Sequence, residues 1–497
     1  MINNLLFVMV LLTILPAPIV YLLGRKIGKS VGYLVATILF CATFVYGLLI
    51  PVVEHESILE EFIWTLAPVR LTFGFLADGL SVPILFAFIF VFAFVALFSI
   101  PYMERRLQNG DIPETNAKYA TFYTFFLLYA GSVVGSMLST NLIEFYLFFE
   151  CALVFSWLLV FMYGYGDRVK ISYQYFIWTN VGGGSLLMGI LAASWVVGGF
   201  DIAALTHIGE SPMAFWIGIA IILGLLVKIG GLGLHGWMPN TYAESPAPVS
   251  AVLGATSVLL STYSLARLMP PFKEVLSGVS GWFMLWALLT ILYAGAMALV
   301  QKDTKRLVAY LSMSQMNYCV LGVFTYVGYG FLGAISYSIS HGLAIALLFL
   351  VAGALQYRAG TRDMEKLGGL AEKLPIAVIA CLIGFLTIGG VPPAVGFKSK
   401  FILLSGAFER GFASSSLELA VAILAGSLAT VITLAYEFRT IWRIFYGKLP
   451  ESLKGIKEIP INMAIALLSL SALSIVFGIW PSLFTNAIEV FIQHIFH

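Results

Sequence analysis

Charge is what this sequence has least of. Of its 497 residues only 10% are Asp, Glu, Lys or Arg, against 60% hydrophobic ones; soluble domains hold roughly 25% and 45–50%. With a mean hydropathy of +0.97, a soluble globular fold is excluded and the chain reads as a polytopic membrane protein. The 27 basic and 25 acidic residues nearly cancel and are dispersed, so no nucleic-acid partner is implied. Cysteine is scarce: Cys41, Cys151, Cys319 and Cys381 stand alone in apolar runs without a CxxC. That pattern fits small buried hydrophobes and leaves no disulfide or metal spacing. No basic segment precedes the first apolar run, so it reads as a retained span and not as a signal peptide. No polar stretch is long enough to fold alone. The longest are Gln356–Lys373 and Glu437–Pro460; the second is basic enough to meet lipid head groups or a partner, a solvated loop being the plainer reading.

What is present is a series of apolar runs. At about 20 residues per span they predict an all-α protein of fourteen transmembrane helices. These are Leu5–Leu23, Gly32–Val52, Asp78–Ile100, Tyr119–Leu138, Asn141–Gly164, Tyr173–Val197, Ala214–Gly230, Ser250–Arg267, Trp282–Val300, Arg306–Val327, Phe331–Leu355, Pro375–Phe408 (broken), Leu417–Tyr436 and Ile461–Phe484. Thr485–His497 reads as a short interfacial tail. Twenty Lys and Arg residues follow odd-numbered spans, and four (Arg70, Arg267, Lys273 and Arg410) lie on the opposite side. This bias predicts cytoplasmic odd loops and both termini outside, in a cell membrane.

Three lysines remain inside the membrane: Lys228, Lys398 and Lys400. A Lys at mid-bilayer costs about 2.5–3.5 kcal/mol or more, so each needs a partner or a task. Lys228 sits deep inside the run AFWIGIAIILGLLVKIGG, which the stretch GGLGLHGWMPNTYAESPAPVS then interrupts. Lys398 and Lys400 follow a second break, GGVPPAVG. Gly and Pro there free backbone groups that lipid cannot satisfy, so both breaks must line a wet or protein-filled cavity. The broken spans, seventh and twelfth, are five apart. They fit repeats of residues 119–267 and 282–436, the second inverted, within one transmembrane domain of residues 1–497. One of Lys398 and Lys400 faces the path, and the other snorkels or pairs.

Glu150 lies nine residues past Asn141, about 13 Å into the membrane and comparable in depth with Lys228. A nearby carboxylate favours the charged ammonium while desolvation opposes it. Moving or neutralising Glu150 would therefore load or unload Lys228, which is what a proton relay needs. Glu144, six residues earlier, points elsewhere, and a wet helix end accounts for it. His341, in YSISHGLAIALLFL, is either a relay step or hydrogen-bonded packing. A bis-His haem would need a second His at matching depth; only His235, at a broken end, is near the membrane, so no cofactor is expected. Asp78, in FLADGLSV, reads as a helix N-cap.

Together these residues resemble the antiporter-like subunits of respiratory complex I, membrane-bound hydrogenases and Mrp-type cation/proton antiporters. The matching stretches include ADGLS at Ala77–Ser81, FFE at Phe148–Glu150 and VKIGGLGLHGWMPNTYAESPAPVSAVL at Val227–Leu253. QKDTKRLVAYLSMSQM at Gln301–Met316, HGLAIALLFLVAG at His341–Gly353, TRDMEKLGGL at Thr361–Leu370 and GFKSK at Gly396–Lys400 also match. The resemblance implies fourteen helices with inverted five-helix repeats. It implies Glu150 and Lys228 as an input pair, His341 as a central step and Lys400 as the exit-side site, with Glu144, His235 and Lys398 secondary. The chain departs from the family pattern at Leu259, Gln315 and Ile345, where the family often has Lys, His and Lys. That leaves Ser257, Ser261, Thr262, Gln315, Tyr318 and His341, with water, to bridge Lys228 and Lys400. The implied role is a proton-translocating subunit of a redox-driven complex. Its expected partners are further antiporter-like membrane subunits, iron–sulfur subunits and lipid. The alternatives are a subunit of an Mrp-type Na⁺/H⁺ antiporter, or a degenerate structural subunit.

Overall fold

The computed structural model describes residues 4–66, 69–110 and 112–496, without the side chains of 63–66 and 69–71. The chain begins with α1 (Leu5–Ile14), α2 (Ala17–Ile27) and α3 (Val31–Val53), then a hairpin of β1 (Ile58–Leu66) and β2 (Val69–Ala77). There follow α4 (Ser81–Gln108), α5 (Asn116–Leu138), α6 (Leu142–Tyr163), α7 (Arg168–Val197), α8 (Ala214–Ile229), α9 (Met238–Glu244) and α10 (Ala247–Leu268). The second half holds α11 (Lys273–Leu276), α12 (Ser280–Val300), α13 (Thr304–Val323), α14 (Gly328–Ala359), α15 (Pro375–Gly389) and α16 (Gly396–Ala413). Last come α17 (Ser416–Gly426), α18 (Leu428–Phe445), α19 (Ile461–Ile479) and α20 (Ser482–Phe496).

Among the described residues, ten helical stretches are long and apolar enough to cross a membrane; α8 and α15 are shorter apolar helices, each ending at a break. Trp195, Trp216, Trp282, Trp442 and Trp480 face outward, as amphipathic rings do at a bilayer boundary. The least apolar long helix, α13, is one of the most buried. Ser312, Ser314, Gln315 and Asn317 all point inward, where protein and not lipid must satisfy them. Beside it runs α14, buried along almost its whole length and packed against α4, α10, α13, α15, α16 and α19.

Capping residues set the helix starts. Asn141 Oδ1 accepts from Ile143 N at 2.9 Å, and Asp303 Oδ1 accepts from Lys305 N at 2.8 Å, closing the first turns of α6 and α13. Each cap also lies in a short backbone bridge to a distant segment. Leu142 N donates to Phe200 O at 2.8 Å and Ile202 N to Thr140 O at 2.9 Å. The same pattern recurs when Thr304 N donates to Arg362 O at 2.9 Å and Met364 N to Lys302 O at 2.8 Å.

The hairpin corrects the all-α expectation. Its apolar and polar residues alternate with a period of two in VRLTFGF, the strand signature, and β1 and β2 pair from Ile58↔Ala77 to Leu66↔Val69. Glu60 of β1 accepts from Leu6 N and Phe7 N, both at 3.1 Å, capping α1 with a negative charge. The expected tail is the helix α20, with Phe484, Ala487, Ile488 and Ile492 buried. Cys41 and Cys151 are exposed, against expectation, while Cys319 and Cys381 are buried.

Candidate functional site

Two interrupted helices carry the buried lysines. At the first break Gly230 takes a left-handed conformation (φ 76°) and ends α8. Two indoles take up freed carbonyls: Trp237 Nε1 donates to Val227 O at 3.0 Å and Trp286 Nε1 to Leu232 O at 3.2 Å. Leu232 N donates to Thr290 Oγ1 at 3.0 Å. A Cβ on Gly231 would fall inside the Trp286 ring, so only glycine fits there.

Lys228 sits in the last turn of α8 and is only 9% exposed. The carbonyl end of a helix favours a cation. Its ammonium lies 3.7 Å from the centroid of the Phe149 ring, a cation–π contact worth about 0.5–2 kcal/mol. Glu150, the next residue on α6, is half-buried, and its charge is near enough to interact with that of Lys228. The two do not touch: Glu150 Oε1 is buried without a hydrogen-bond partner. That oxygen lies against Gly183 of α7, where a Cβ would collide with it. The neighbouring Gly182 lets α8 close on α7 at Val227 and Gly224.

At the second break α15 ends with Gly390 left-handed (φ 73°), and α16 starts at Gly396. Lys398 is exposed and Lys400 is 4% exposed, so Lys400 faces the interior. Its stem packs on Gly390, where a Cβ would come within 3.1 Å of Lys400 Cδ. Lys400 Nζ donates to Gln315 Oε1 at 3.2 Å and lies 4.2 Å from the Tyr318 ring centroid. Gln315 is fully employed. Its Oε1 also accepts from Tyr337 OH at 2.7 Å, and its Nε2 donates to Thr433 Oγ1 at 3.0 Å and Tyr436 OH at 2.9 Å. One turn along α14, fully buried His341 places Nε2 3.3 Å from Ser312 Oγ, and its Nδ1 has no partner.

The six residues expected to bridge the lysines therefore divide, with Thr262 buried on α10 beside Ser257 and Ser261. Gln315, Tyr318 and His341 gather around Lys400. Ser257 accepts from Tyr242 OH at 2.9 Å on the other side, and Ser261 Oγ is buried without a partner. Between them Leu259 is fully buried against Gly342, and Ile345 against Gly254. Among the described residues no side-chain hydrogen bond joins Lys228 to the Ser312–His341 cluster.

The family description "NADH:quinone oxidoreductase/Mrp antiporter, TM" matches residues 139–433. The chain belongs to this family. F(420)H(2) dehydrogenase subunit M of Methanosarcina mazei is 30% identical over 418 residues, 82% of this chain and 80% of that protein. Na(+)/H(+) antiporter subunit A1 of Staphylococcus aureus is 30% identical over 515 residues, 96% of this chain and 61% of that longer protein. A chain of respiratory complex I from Thermus thermophilus superposes with a TM-score of 0.84 at 26% identity, over 98% of both chains. This antiporter-like subunit thus has relatives that are parts of multi-subunit membrane complexes.

Within this antiporter-like subunit several expected positions differ. Glu144 is not at a wet helix end; it is buried, and its Oε2 accepts from Gly74 N of the hairpin at 3.2 Å. His235 packs against Tyr293 in the first break, ring centroids 5.2 Å apart and planes tilted by 55°, with Nδ1 unpartnered. Asp78 Oδ1 accepts from Ser81 N at 2.9 Å as a cap, and Asp78 also pairs with Arg267 at 2.7 Å. Lys305 and Arg106, counted as loop charges, are buried. Lys305 donates to Ala243 O at 3.0 Å and to Ser245 O, holding the end of α9. Arg362 also donates to Ala243 O and pairs with Glu244 at 3.1 Å and Asp303 at 3.2 Å. Sequence reasoning missed Glu437. Assigned to the last polar loop, it lies inside α18 and is 4% exposed. Its sequence signal was the apolar run TVITLAYEF continuing past it.

Proposed function

We propose that this chain passes protons through the membrane arm of a redox-driven complex I-like or membrane-bound hydrogenase-like complex. The observation that carries this is a pair of broken helices, each ending a buried apolar run beside one buried lysine. Glu150 and Lys228 form the input pair: as the carboxylate gains or loses influence over the ammonium, the amine is loaded or discharged. His341 is the central step, and Lys400 is the exit-side site, held by Gln315 and Tyr337. Glu144, His235 and Lys398 are not on this path. Redox chemistry belongs to other subunits, iron–sulfur proteins among them, with further antiporter-like subunits and lipid alongside.

We further infer fourteen membrane passages in one transmembrane domain, with both termini outside a cell membrane. Inverted repeats near residues 119–267 and 282–436 are supported by the recurring cap-and-bridge pattern at Asn141 and Asp303. A second reading, a subunit of an Mrp-type Na⁺/H⁺ antiporter, is favoured by the likeness of 96% of the chain to the staphylococcal antiporter subunit. A third, a degenerate structural subunit, is favoured by Leu259 closing the middle of the axis.

Affinity purification through this chain separates the first two: iron–sulfur proteins co-purify with a redox complex, and only small membrane partners with an antiporter. In vesicles holding the assembled complex, Lys228→Ala and Glu150→Ala each abolish proton pumping while assembly survives. Normal pumping in both would leave the structural reading standing.

A further inference from the structure

We propose that Glu437 of α18 is the proton-exchanging partner of Lys400, so that the second broken helix holds a carboxylate–amine pair of its own. This rests on the relay reading above and adds to it a residue and a step.

The geometry is compact. Gly389 and Gly390 are adjacent at the end of α15. A Cβ on Gly389 would meet Glu437 Oε2 at 2.7 Å, and one on Gly390 would meet Lys400 Cδ at 3.1 Å. The carboxylate and the lysine stem thus lie against neighbouring residues of one helix end. Glu437 Oε1 is buried with no hydrogen-bond partner, although buried carboxylate oxygens are ordinarily satisfied. Its neighbour in sequence, Tyr436, is bonded to Gln315, which also accepts from the Lys400 ammonium. The groups that interact with the carboxylate are Lys400 from α16, Cys381 from α15, Tyr337 from α14 and Tyr436 from its own helix. Lys400 is the one cation among them.

A buried carboxylate with one unpartnered oxygen, near a single buried ammonium, suits a proton transfer that leaves both groups neutral. The lysine N–H bond breaks, an O–H bond forms on Glu437, and the ammonium and carboxylate become an amine and a carboxylic acid. Net charge is conserved, and the transfer removes two charges from a low-dielectric site. A structural ion pair would instead be expected to close to hydrogen-bond distance. Here one Lys400 donor goes to Gln315, and Glu437 Oε1 is left open.

The test uses the complex purified through this chain, reconstituted in vesicles with an internal pH dye and a valinomycin-imposed potential. Lys228→Ala serves as the reference for the relay. Glu437→Gln, close in shape and without charge, is expected to lower proton flux about a hundredfold, the lower end for a lost general acid–base group. Glu437→Asp is expected to restore most of the flux with a displaced pH profile. Gly389→Ala, which pushes the carboxylate without changing charge, is expected to fall between. Wild-type flux and pH profile in Glu437→Gln, with Lys228→Ala inactive, would make Glu437 structural and leave the relay intact. Normal flux in both would remove the relay and this step with it. Should Glu437→Gln fail to assemble, unchanged flux and pH profile in Gly389→Ala overturn the proposal.

Discussion

The two broken helices hold a buried ammonium differently: both set it over an aromatic ring, and only the second adds a hydrogen bond. Lys228 precedes its break and rests on the face of Phe149, with a carboxylate close by but not touching. Lys400 follows its break and is tied to Gln315, which is itself fixed by Tyr337, Thr433 and Tyr436. A ring face imposes little direction on a cation, whereas a satisfied polar network is rigid and specific. On the relay proposed above, the first half would suit a side chain that moves, and the second one that stays while its proton moves.

The largest effect that tests this contrast is Lys400→Met. It is expected to reduce proton flux in vesicles about a hundredfold, the scale of a lost general acid–base group. Flux within a factor of two of wild type would take the second half off the path. Next is Gln315→Leu, which leaves Lys400 without its acceptor and Tyr337 with the Ile388 carbonyl alone. Thermal unfolding of the purified complex should show a loss of about 1–3 kcal/mol for this unsatisfied buried group. No change would mean the network is not rigid. Gly183→Ala forces Glu150 to shift without altering any charge. A flux lowered several-fold with stability nearly kept is expected, and an unchanged flux would show that the carboxylate need not be placed. Smallest of all, Lys398→Ala should leave flux unchanged and stability within about 0.5 kcal/mol, as exposed positions do.

Much of this contrast is visible in the sequence because charge is so scarce. Lys228 and Lys400 stand out of apolar runs, and Gly and Pro beside them mark both breaks. The choice between Lys398 and Lys400 is not legible, since two positions apart on a helix point to different sides and only packing decides which faces in. Glu437 is hidden by Arg439 and Arg443, which make the end of α18 look like the start of a basic loop. Lys305 is hidden similarly by Lys302 and Arg306, yet it reaches back under α9. The hairpin escapes because its alternation, clearest in VRLTFGF, is short and lies in the polar stretch between two spans. Glu144 then finds in Gly74 N a partner that helix periodicity cannot anticipate. The block at Leu259 is legible as a missing lysine, but that Gly342 brings a neighbouring helix hard against it is a property of packing alone.

Phe149 has one more consequence. A benzene ring attracts an ammonium but has no lone pair to receive a proton, so while Lys228 lies on it the amine cannot discharge in that direction. On the relay proposed above, the proton would leave through an N–H turned away from the ring. On that reading a single hydrocarbon surface would insulate one side of the ammonium, leaving the other as its contact.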